Sequence, residues 1–487
     1  MTATHSSESK PRGLPKSQTI GFFLGVLFLL ITLLVPAPET MSPEAWAALG
    51  LMLLMATWWS TEAIPIPATA LLPIVLIPAL GLGSIGQATS PYANPIIFLF
   101  LGGFTLGLAM QRWNLHRRIA LLTLRAVGDQ PKRQVAGFML ATAFLSMWVS
   151  NTATAIMMLP IGLSVVAMMD SSNPEGVRRY ATALLLAIAY SASIGGIATL
   201  IGTPPNALLA AYLSENQGIS VGFAQWMLLG VPVSVVMLVL AWWWLTRKDF
   251  GIGGSADSGE MIQNELAKLG SMSRGEKLVA LVFLVTAAAW IFRPLLSANL
   301  MPWLSDTGIA IAAAIAMFVI PVNTAERVFV LDWDSANKLP WGVLLLFGGG
   351  LAMAGVISSS GLAEWIAQSL GVAGALPTLV MIVLVATVII FLTEVTSNTA
   401  TAAAFLPLLG ALAMSQGVSP LLLTVPAAIA ASCAFMMPVA TPPNAIVFSS
   451  GHMRIADMIR AGFALNIIGI IVVTLLSYLL LGIVFTL

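Results

Sequence analysis

The pentapeptide Ser-Asn-Thr-Ala-Thr occurs twice in this chain, at residues 150–154 and again at residues 397–401. Each copy is followed further along by Thr-Pro-Pro-Asn-Ala, at residues 203–207 and 441–445. The sequence around all four motifs is apolar. Two different polar motifs that recur in the same order predict a duplicated membrane protein, with a functional site built from both halves.

The composition is typical of a protein that lies mostly in lipid. Of the 487 residues, 58% are hydrophobic and only 8% are charged, whereas a soluble domain has about 25% charged residues. Apolar stretches long enough for a helix to cross the hydrocarbon core recur along the whole chain. The net charge of +1 gives no indication of a nucleic acid as a partner. The predicted fold class is therefore an all-α polytopic membrane protein.

The placement of lysine and arginine predicts the topology. These residues cluster in alternate loops, which the positive-inside rule assigns to the cytoplasm together with the N-terminus, so the C-terminus is external. Two apolar stretches, 135–168 and 377–413, each lie between loops assigned to the same side, so each is predicted to be a re-entrant hairpin. Eleven transmembrane helices are predicted besides, at residues 20–36, 44–60, 65–81, 95–111, 181–211, 223–246, 277–297, 306–322, 341–358, 421–449 and 463–486.

The two halves align in register, with Ser146 opposite Thr393 and Ser150 opposite Ser397. Each half has five spans and one hairpin, an odd number of crossings, so the second repeat is predicted to be inverted relative to the first. The predicted domains are a cytoplasmic tail at 1–19, an extra first transmembrane helix at 20–43, a first repeat at 44–250, a cytoplasmic linker at 251–276 and a second repeat at 277–487. The part of the linker at 251–270 is rich in Gly, Ser and Glu and is predicted to be flexible.

Two shorter segments, at residues 112–127 and 360–372, also correspond between the repeats. Both mix apolar with polar residues, and we interpret them as helices that lie in the membrane interface. The alternative is that they extend the spans that precede them.

The repeated motifs interrupt helices at membrane depth. Thr-Pro-Pro removes two consecutive amide donors and breaks any helix that contains it, and non-helical backbone is tolerated at that depth only inside protein or along a cavity. Free carbonyls together with Ser, Thr and Asn oxygens suit a small cation, and helix N-termini suit an anion. The apolar cores of the hairpins and broken spans contain no lysine or arginine, so the predicted anion site has no basic side chain there.

Glu394 is the one carboxylate predicted to lie within a hairpin, directly after Thr393. An ionisable residue inside a membrane protein is functional by default, yet the aligned residue of the first repeat is Met147. Two roles stay open at this point: a structural hydrogen bond that braces the hairpin, or tuning of a cation site.

The paired Ser-Asn-Thr and Thr-Pro-Pro motifs resemble those of the divalent anion/sodium symporter family, in particular its bacterial sodium-dependent dicarboxylate transporters. The resemblance covers essentially everything after Ile20. It implies a homodimer that works as an elevator, in which a part with both hairpins and both broken helices slides against a fixed scaffold. It also implies two sodium sites with the substrate between them. The implied residues are Ser146, Ser150, Asn151 and Gly202 for the first sodium ion, Thr393, Ser397, Asn398 and Ala440 for the second, and Asn151, Thr152, Thr203, Pro204, Asn398, Thr399, Thr441 and Pro442 for the substrate.

The function expected from this resemblance is sodium-coupled uptake of C4-dicarboxylates such as succinate, malate and fumarate across the bacterial inner membrane. Na⁺ would be the co-transported ion, and the partners would be the dicarboxylate, membrane lipid and a second copy of the chain. The alternatives on the same fold are a sodium-independent dicarboxylate exchanger, or citrate or sulfate as the preferred substrate. A passive anion channel and an intramembrane enzyme are alternatives from other classes. We expect no enzymatic activity, since the sequence shows no nucleophile–base pair and no nucleotide motif.

Overall fold

The computed structural model describes residues 16–169, 173–253, 256–371 and 376–485. The described residues are mostly helical, with one antiparallel pair of short strands, β1 (Pro321–Asn323) and β2 (Val328–Phe329). Most of the predicted N-terminal tail, residues 1–15, lies outside the described residues, and residues 16–19 already belong to the first helix.

The helices follow the predicted order. Up to the linker they are α1 (Lys16–Leu34), α2 (Pro43–Thr61), α3 (Ile66–Thr69), α4 (Leu72–Ala79), α5 (Ile85–Thr89), α6 (Pro95–Arg112), α7 (Leu115–Val127), α8 (Pro131–Ser146), α9 (Asn151–Ala167), α10 (Pro174–Ile197), α11 (Pro204–Gln217) and α12 (Phe223–Thr246). After it come α13 (Ala256–Leu269), α14 (Arg274–Asn299), α15 (Asp306–Val319), α16 (Trp333–Ala336), α17 (Trp341–Ser359), α18 (Leu362–Gly371), α19 (Thr378–Thr393), α20 (Asn398–Ser415), α21 (Leu421–Ala431), α22 (Pro442–Ser449) and α23 (Ile455–Val484).

Eight of the described helical segments are long and apolar enough to cross a membrane by length and composition. Shorter apolar helical stretches of 10–17 residues occur at Ile66–Ala79, Asn151–Ala167, Asp306–Val319, Thr378–Thr393 and Leu421–Ala431. These shorter stretches coincide with predicted spans, hairpin arms or halves of broken spans. The predicted total of eleven transmembrane helices stays a prediction.

Each of the two stretches predicted to be a re-entrant hairpin consists of two helices, and their re-entry from one side of the membrane stays a prediction. α8 and α9 are joined by residues 147–150, and α19 and α20 are joined by residues 394–397. In each pair the Asn of Ser-Asn-Thr is the first residue of the second helix, and the preceding Ser is its N-cap. The motif therefore lies at the turn between the two helices of each pair, where Ser is a favoured N-cap residue.

Both Thr-Pro-Pro motifs interrupt a helix, as predicted. α10 ends at Ile197 and α11 begins at Pro204, while α21 ends at Ala431 and α22 begins at Pro442. Proline is tolerated at the first position of a helix, since the N–H that it lacks would have no intrahelical partner there.

The Asn that follows each Pro-Pro holds the interruption together. Asn206 Nδ2 donates to the Thr199 carbonyl at 2.8 Å and to the Gly196 carbonyl at 3.2 Å. Asn444 Nδ2 donates at 3.1 Å to the carbonyls of Ala434 and Met437. Both Asn residues are fully buried. Their amides replace the backbone donors that the break removes, which a buried chain requires.

The two halves interlock through their broken helices. α22 from the second half contacts α9 and α10 of the first, and α11 from the first half contacts α20 and α21 of the second. Helix α10 lies at the centre, since 94% of the residues in its apolar stretch are buried, whereas only 17% of those in α1 are buried. This packing brings the N-terminal ends of α9, α11, α20 and α22 toward one region.

The linker differs from the prediction. Ala256–Leu269 forms α13, which packs on α7. Ile262 is 4% exposed and Leu266 contacts the core one turn later, and Glu265 pairs with Arg117 at 2.5 Å. The prediction of a flexible segment was wrong because the Gly- and Ser-rich composition concealed apolar residues at helical spacing.

The two segments predicted to lie in the interface are helices separate from the spans before them. Asn114, between α6 and α7, has φ +57°, and Gly361, between α17 and α18, has φ +79°. A residue in the left-handed region ends an α-helix, so α7 and α18 do not extend α6 and α17. Val372, at the end of the second predicted segment, lies outside the described residues. The depth of both helices relative to the membrane stays a prediction.

Candidate functional site

A cavity of about 910 Å³ lies between the two halves. Its wall includes the N-terminal ends of α9, α11, α20 and α22, each of which begins within one of the repeated motifs. The first backbone N–H groups of a helix have no intrahelical partner, and each helix N-terminus carries about half a positive charge. The dipoles of all four ends favour an anion in the cavity, and the free N–H donors come mainly from α9 and α20, since α11 and α22 begin with two prolines.

Side-chain caps orient two of these helix ends. The Ser150 hydroxyl accepts a hydrogen bond from the Ala153 N–H at 3.3 Å, and the Thr441 hydroxyl accepts one from the Asn444 N–H at 3.3 Å. The caps hold the starts of α9 and α22. The cap of α9 does not use the N–H groups of Asn151 and Thr152, whereas α22 begins with Pro442 and Pro443, which have no N–H.

Oxygen atoms converge at the first hairpin tip. Ser146 Oγ lies 2.6 Å from Asn151 Oδ1 and 2.6 Å from the Ala192 carbonyl oxygen. The Asn151 amide atom that faces them is also 3.1 Å from the Ala192 carbonyl and 3.2 Å from the Gly202 carbonyl. One hydroxyl proton cannot serve all these acceptors. The cluster is satisfied either when the Asn151 amide rotates and donates its N–H groups, or when a small cation lies among the oxygens.

The second hairpin tip carries a matching cluster. Thr393 Oγ1 lies 2.7 Å from Asn398 Oδ1 and 3.0 Å from the Ala431 carbonyl oxygen. Thr393, like Ser146, is fully buried. The register that aligned Ser146 with Thr393 therefore also holds in three dimensions, and Ala431 stands where Ala192 stands in the first half.

The structure brings the residues predicted for substrate and sodium together around this one cavity. Two of the predicted residues, Ser146 and Thr393, do not line the cavity themselves. Each is buried behind the cavity wall and bonds to the Asn of its own helix pair. The others line the cavity directly: Ser150, Asn151, Thr152, Gly202, Thr203, Pro204, Ser397, Asn398, Thr399, Ala440, Thr441 and Pro442.

The carbonyls of Ala192 and Ala431, one in each oxygen cluster, are not indicated by the sequence. Ala192 lies inside α10, and Ala431 is the last residue of α21. Neither side chain has a polar group, so no sequence pattern could indicate either residue. A further contact between the halves was also missed: Thr203 Oγ1 lies 3.4 Å from Ser432 Oγ.

Glu394 braces the second broken helix. Its carboxylate oxygens accept hydrogen bonds from the N–H groups of Phe435 at 2.7 Å, Met436 at 2.9 Å and Met437 at 2.9 Å. Asn466 Nδ2 donates to it as well, at 2.7 Å. Glu394 is 3% exposed. The structure thus supports the first of its two open roles, because the carboxylate satisfies amides that the break leaves without helical partners.

Two charged residues line the cavity within the described part of the chain, Glu62 and Lys338. Both are exposed, and both belong to connecting segments rather than to hairpins or broken helices. Among the described residues of the wall, the basic side chain of Lys338 thus comes from the segment before α17 and not from a repeated motif.

The long apolar helices of this chain surround a polar cavity, an arrangement typical of polytopic membrane transporters. The family model described as the sodium:sulfate symporter transmembrane region matches residues 16–487. The chain belongs to this family, and the family predicted from the repeated motifs is confirmed.

Characterised relatives match nearly the full length of the chain. The sodium-dependent dicarboxylate transporter SdcS of Staphylococcus saprophyticus is 42% identical, over 98% of this chain and 93% of the relative. The transporter of the same name from Staphylococcus aureus strain RF122 is 43% identical, over 98% of this chain and 94% of the relative.

Two solved structures share the fold at low sequence identity. MtrF of Neisseria gonorrhoeae, from a class of antimetabolite efflux pumps, has a TM-score of 0.58 at 13% identity, over 96% of this chain and 95% of its own. The YdaH transporter of Alcanivorax borkumensis has a TM-score of 0.57 at 15% identity, over 96% of this chain and 99% of its own. These likenesses concern the fold alone.

Proposed function

We propose that the protein is a secondary active symporter that uses a sodium gradient to take up C4-dicarboxylates such as succinate, malate and fumarate. Its similarity to transporters named as sodium-dependent dicarboxylate transporters supports the substrate class and the ion. The observation that carries the proposal is the pair of matching oxygen clusters beside one cavity lined by four helix N-termini.

In this proposal each oxygen cluster binds one sodium ion. The ligands of the first ion are Ser146, Ser150, Asn151 and the Gly202 carbonyl, and those of the second are Thr393, Ser397, Asn398 and the Ala440 carbonyl. The carbonyls of Ala192 and Ala431 add one further oxygen to each set, since they lie within 3.0 Å of Ser146 Oγ and Thr393 Oγ1. All these ligands are neutral, which suits a monovalent ion that must leave in every transport cycle.

The Asn151 amide then responds to sodium. Without the ion, the rotated Asn151 amide directs its two N–H groups at the Ser146 hydroxyl and the carbonyls of Ala192 and Gly202, and the Ser146 hydroxyl itself donates to the Ala192 carbonyl. With the ion, the amide oxygen turns toward the cluster and the N–H groups become available on the substrate side. One side chain would therefore couple occupancy of the sodium site to substrate binding.

The substrate lies between the clusters, with one carboxylate near Asn151 and Thr152 and the other near Asn398 and Thr399. Thr203, Pro204, Thr441 and Pro442 line the remaining wall. Two sodium ions about 7 Å from a dianion, at an effective dielectric of about 20, would each contribute on the order of 5 kcal/mol. Sodium would supply much of the attraction that an arginine supplies elsewhere, so binding of the two ligands is strongly coupled.

We further propose an elevator mechanism in a homodimer of the inner membrane. The mutual contacts of α8, α9, α10 and α22 support a unit in which the hairpins and broken helices move together. The cavity is also lined by Ser17, Glu62 and Lys338, which the positive-inside rule assigns to the cytoplasmic side. The structure would then correspond to the inward-facing state.

Two alternatives are kept because particular observations favour them. The family description names sulfate, and a tetrahedral dianion would meet the same helix N-termini. A sodium-independent dicarboxylate exchanger would use the same cavity, with the rotated Asn151 amide in place of the ion.

Uptake of radiolabelled succinate into proteoliposomes tests the proposal. We expect concentrative uptake with an inward sodium gradient and none with an equal potassium gradient. Uptake that ignores sodium but requires internal dicarboxylate would make the protein an exchanger, and flux that never exceeds equilibrium would make it a channel. Competition by unlabelled succinate, citrate and sulfate in the same assay distinguishes the substrates, and stronger competition by sulfate would overturn the dicarboxylate assignment.

A further inference from the structure

A second cleft, of about 190 Å³, lies at one end of α10, α12 and α23 and shares no lining residue with the central cavity. We propose that this cleft binds the phosphate headgroup of an anionic phospholipid. Its lining residues are Arg178, Arg179, Thr182, Ala183, Leu186, Trp244, Leu245, Arg247, Lys248, Asp249, Phe250, Asp457, Arg460 and Ala461.

The cleft has an excess of positive charge. Five basic side chains line it against two carboxylates, and one of these, Asp457, pairs with Arg454, which is not a lining residue. In the described part of the chain, no carboxylate lies within ion-pair distance of Arg178, Lys248 or Arg460. Like charges that line one small cleft repel one another, so a bound anion would stabilise the arrangement.

Tryptophans mark the depth of the cleft as that of lipid headgroups. Trp242, Trp243 and Trp244 occupy the last turn of α12, and Trp243 is 55% exposed. Tryptophan is enriched where a membrane meets water. The Arg247 guanidinium lies 3.3 Å from the centre of the Trp244 ring, so the cation is held at this level by a cation–π contact.

Exposed apolar stripes lead away from the cleft along two of its helices. On α12 the stripe consists of Val235 and Val239, which are 51% and 56% exposed, below Trp243. On α23 it consists of Phe463, Ile467 and Ile471, which are 49%, 39% and 52% exposed. Residues four apart lie on one face of a helix, so each stripe offers a surface for an acyl chain.

The size of the cleft and the stripes together favour a lipid over a soluble phosphate compound. The cleft is smaller than the roughly 300 Å³ of the smallest ordinary ligand pockets, so it admits a phosphate group and little more. A free phosphate would gain nothing from the apolar stripes, whereas a lipid would use both features. Basic pockets between membrane helices bind anionic headgroups by the same combination.

The test uses the full-length protein purified in a neutral detergent. Short-chain phosphatidylglycerol is titrated, and bound lipid is measured by native mass spectrometry. We expect saturable binding that weakens at high salt, with weaker binding of phosphatidylcholine of equal chain length. Equal affinity for phosphatidylcholine would overturn the headgroup assignment. Equal affinity for inorganic phosphate or glycerol 3-phosphate would overturn the assignment to a lipid.

Variants locate the site. The triple variant Arg178→Gln/Arg247→Gln/Arg460→Gln should lose at least about tenfold in phosphatidylglycerol affinity. The matched control Arg125→Gln/Arg133→Gln/Arg274→Gln removes equal charge from exposed positions outside the cleft and should change affinity by less than about twofold. Equal losses in both variants would overturn the proposal.

A charge-preserving variant guards against misfolding. Arg178→Lys/Arg247→Lys/Arg460→Lys should bind phosphatidylglycerol more tightly than the Gln variant, because the positive charge is kept although the guanidinium geometry is lost. Both cleft variants are compared with the parent at equal monodispersity and equal thermal midpoint without lipid. Loss of binding in the single variant Arg460→Gln supports the site even where the triple variant does not fold, and unchanged binding in that single variant and in a folded triple variant would overturn it. None of these variants alters a residue assigned to sodium or substrate, so the outcome is independent of the proposed transport activity.

Discussion

The two hairpin tips carry matching oxygen clusters, yet the protein holds each tip in place with different chemistry. The first tip contains Trp148, whose ring stacks on Phe223 and Trp290 with centroids 6.1 Å and 6.4 Å apart and meets Phe283 edge-on at 5.0 Å. The support of the first tip is therefore largely aromatic packing against α12 and α14.

The second tip has Val395 where the first has Trp148, and Glu394 where the first has Met147. Its support comes from the Glu394 carboxylate, which accepts hydrogen bonds from three backbone amides and one side-chain amide. The two halves have thus kept the positions of the hydroxyl, the Asn and the alanine carbonyl, while the residues that hold those positions differ. The geometry of the oxygen cluster is therefore common to both tips. Aromatic packing supports it at the first tip, and a hydrogen-bonded carboxylate supports it at the second.

The most damaging change would remove the shared element itself. Asn151→Ala or Asn398→Ala should reduce sodium-driven succinate uptake to background, because each Asn would contact both sodium and substrate and its loss should weaken binding about ten- to hundredfold. Uptake in proteoliposomes measures the effect, with the exposed helix-end variant Asn299→Ala as the control. Near-normal uptake in both site variants would contradict the model of a shared site. Failure of only one would show that the two clusters are not equivalent.

The next largest effect separates the two kinds of support. Glu394→Gln places an NH₂ group against backbone N–H donors, and the loss of charge-assisted hydrogen bonds should destabilise the fold by about 3 kcal/mol. The thermal midpoint of the purified protein should fall, whereas Glu326→Gln, in an exposed turn, should leave it unchanged. An unaltered midpoint for Glu394→Gln would mean that the second tip does not depend on its carboxylate.

A smaller effect tests whether the halves divide the substrate equally. Thr152→Val and Thr399→Val keep the shape of the side chain but remove a hydroxyl that lines the cavity. Each should raise the KM for succinate about tenfold and alter the half-saturating sodium concentration much less. Thr123→Val, on α7, serves as the control. A larger change for sodium than for succinate would show that these threonines belong to the cation sites.

The smallest effect concerns Lys338, a basic residue of the cavity wall. Lys338→Gln removes a cation from the cavity wall and should raise the KM for succinate about twofold without changing kcat, because an exposed charge acts mainly by attracting the dianion. Glu62→Gln should lower KM by a similar factor. Both effects should shrink as ionic strength rises, measured with a salt that contains no sodium. A fall in kcat for Lys338→Gln would contradict a purely electrostatic role.

Much of this architecture is predictable from sequence because its causes are local. The length of an apolar run sets whether a helix can span a membrane, and two consecutive prolines break a helix, whereas the single prolines Pro160 and Pro407 lie inside α9 and α20. The breaks before Pro204 and Pro442 and the tips before Asn151 and Asn398 therefore follow from residue chemistry and repetition alone. The same repetition brought the two Ser-Asn-Thr motifs into register before any contact between them was known.

The linker and Glu394 show where local reasoning ends. The composition of residues 251–270 predicted flexibility, but the surface of α7 gives the apolar residues of α13 a place to pack. The sequence left two roles possible for Glu394. Its hydrogen-bond partners, the amides of Phe435, Met436 and Met437, lie about forty residues further along the chain, in the interruption between α21 and α22.

Local sequence signals account for the long apolar helices, their interruptions and the motif residues that line the cavity, because each depends on an apolar run, a proline or a capping side chain within a few positions. The tertiary structure alone decided which carbonyls complete the oxygen clusters and that Lys338 stands in the cavity wall. Every residue has a backbone carbonyl, so nothing in the letters distinguishes Ala192 or Ala431 from other alanines. Their selection depends on how α8 packs on α10 and α19 on α21, and such packing arises from contacts between helices that are far apart in the sequence rather than from any local pattern.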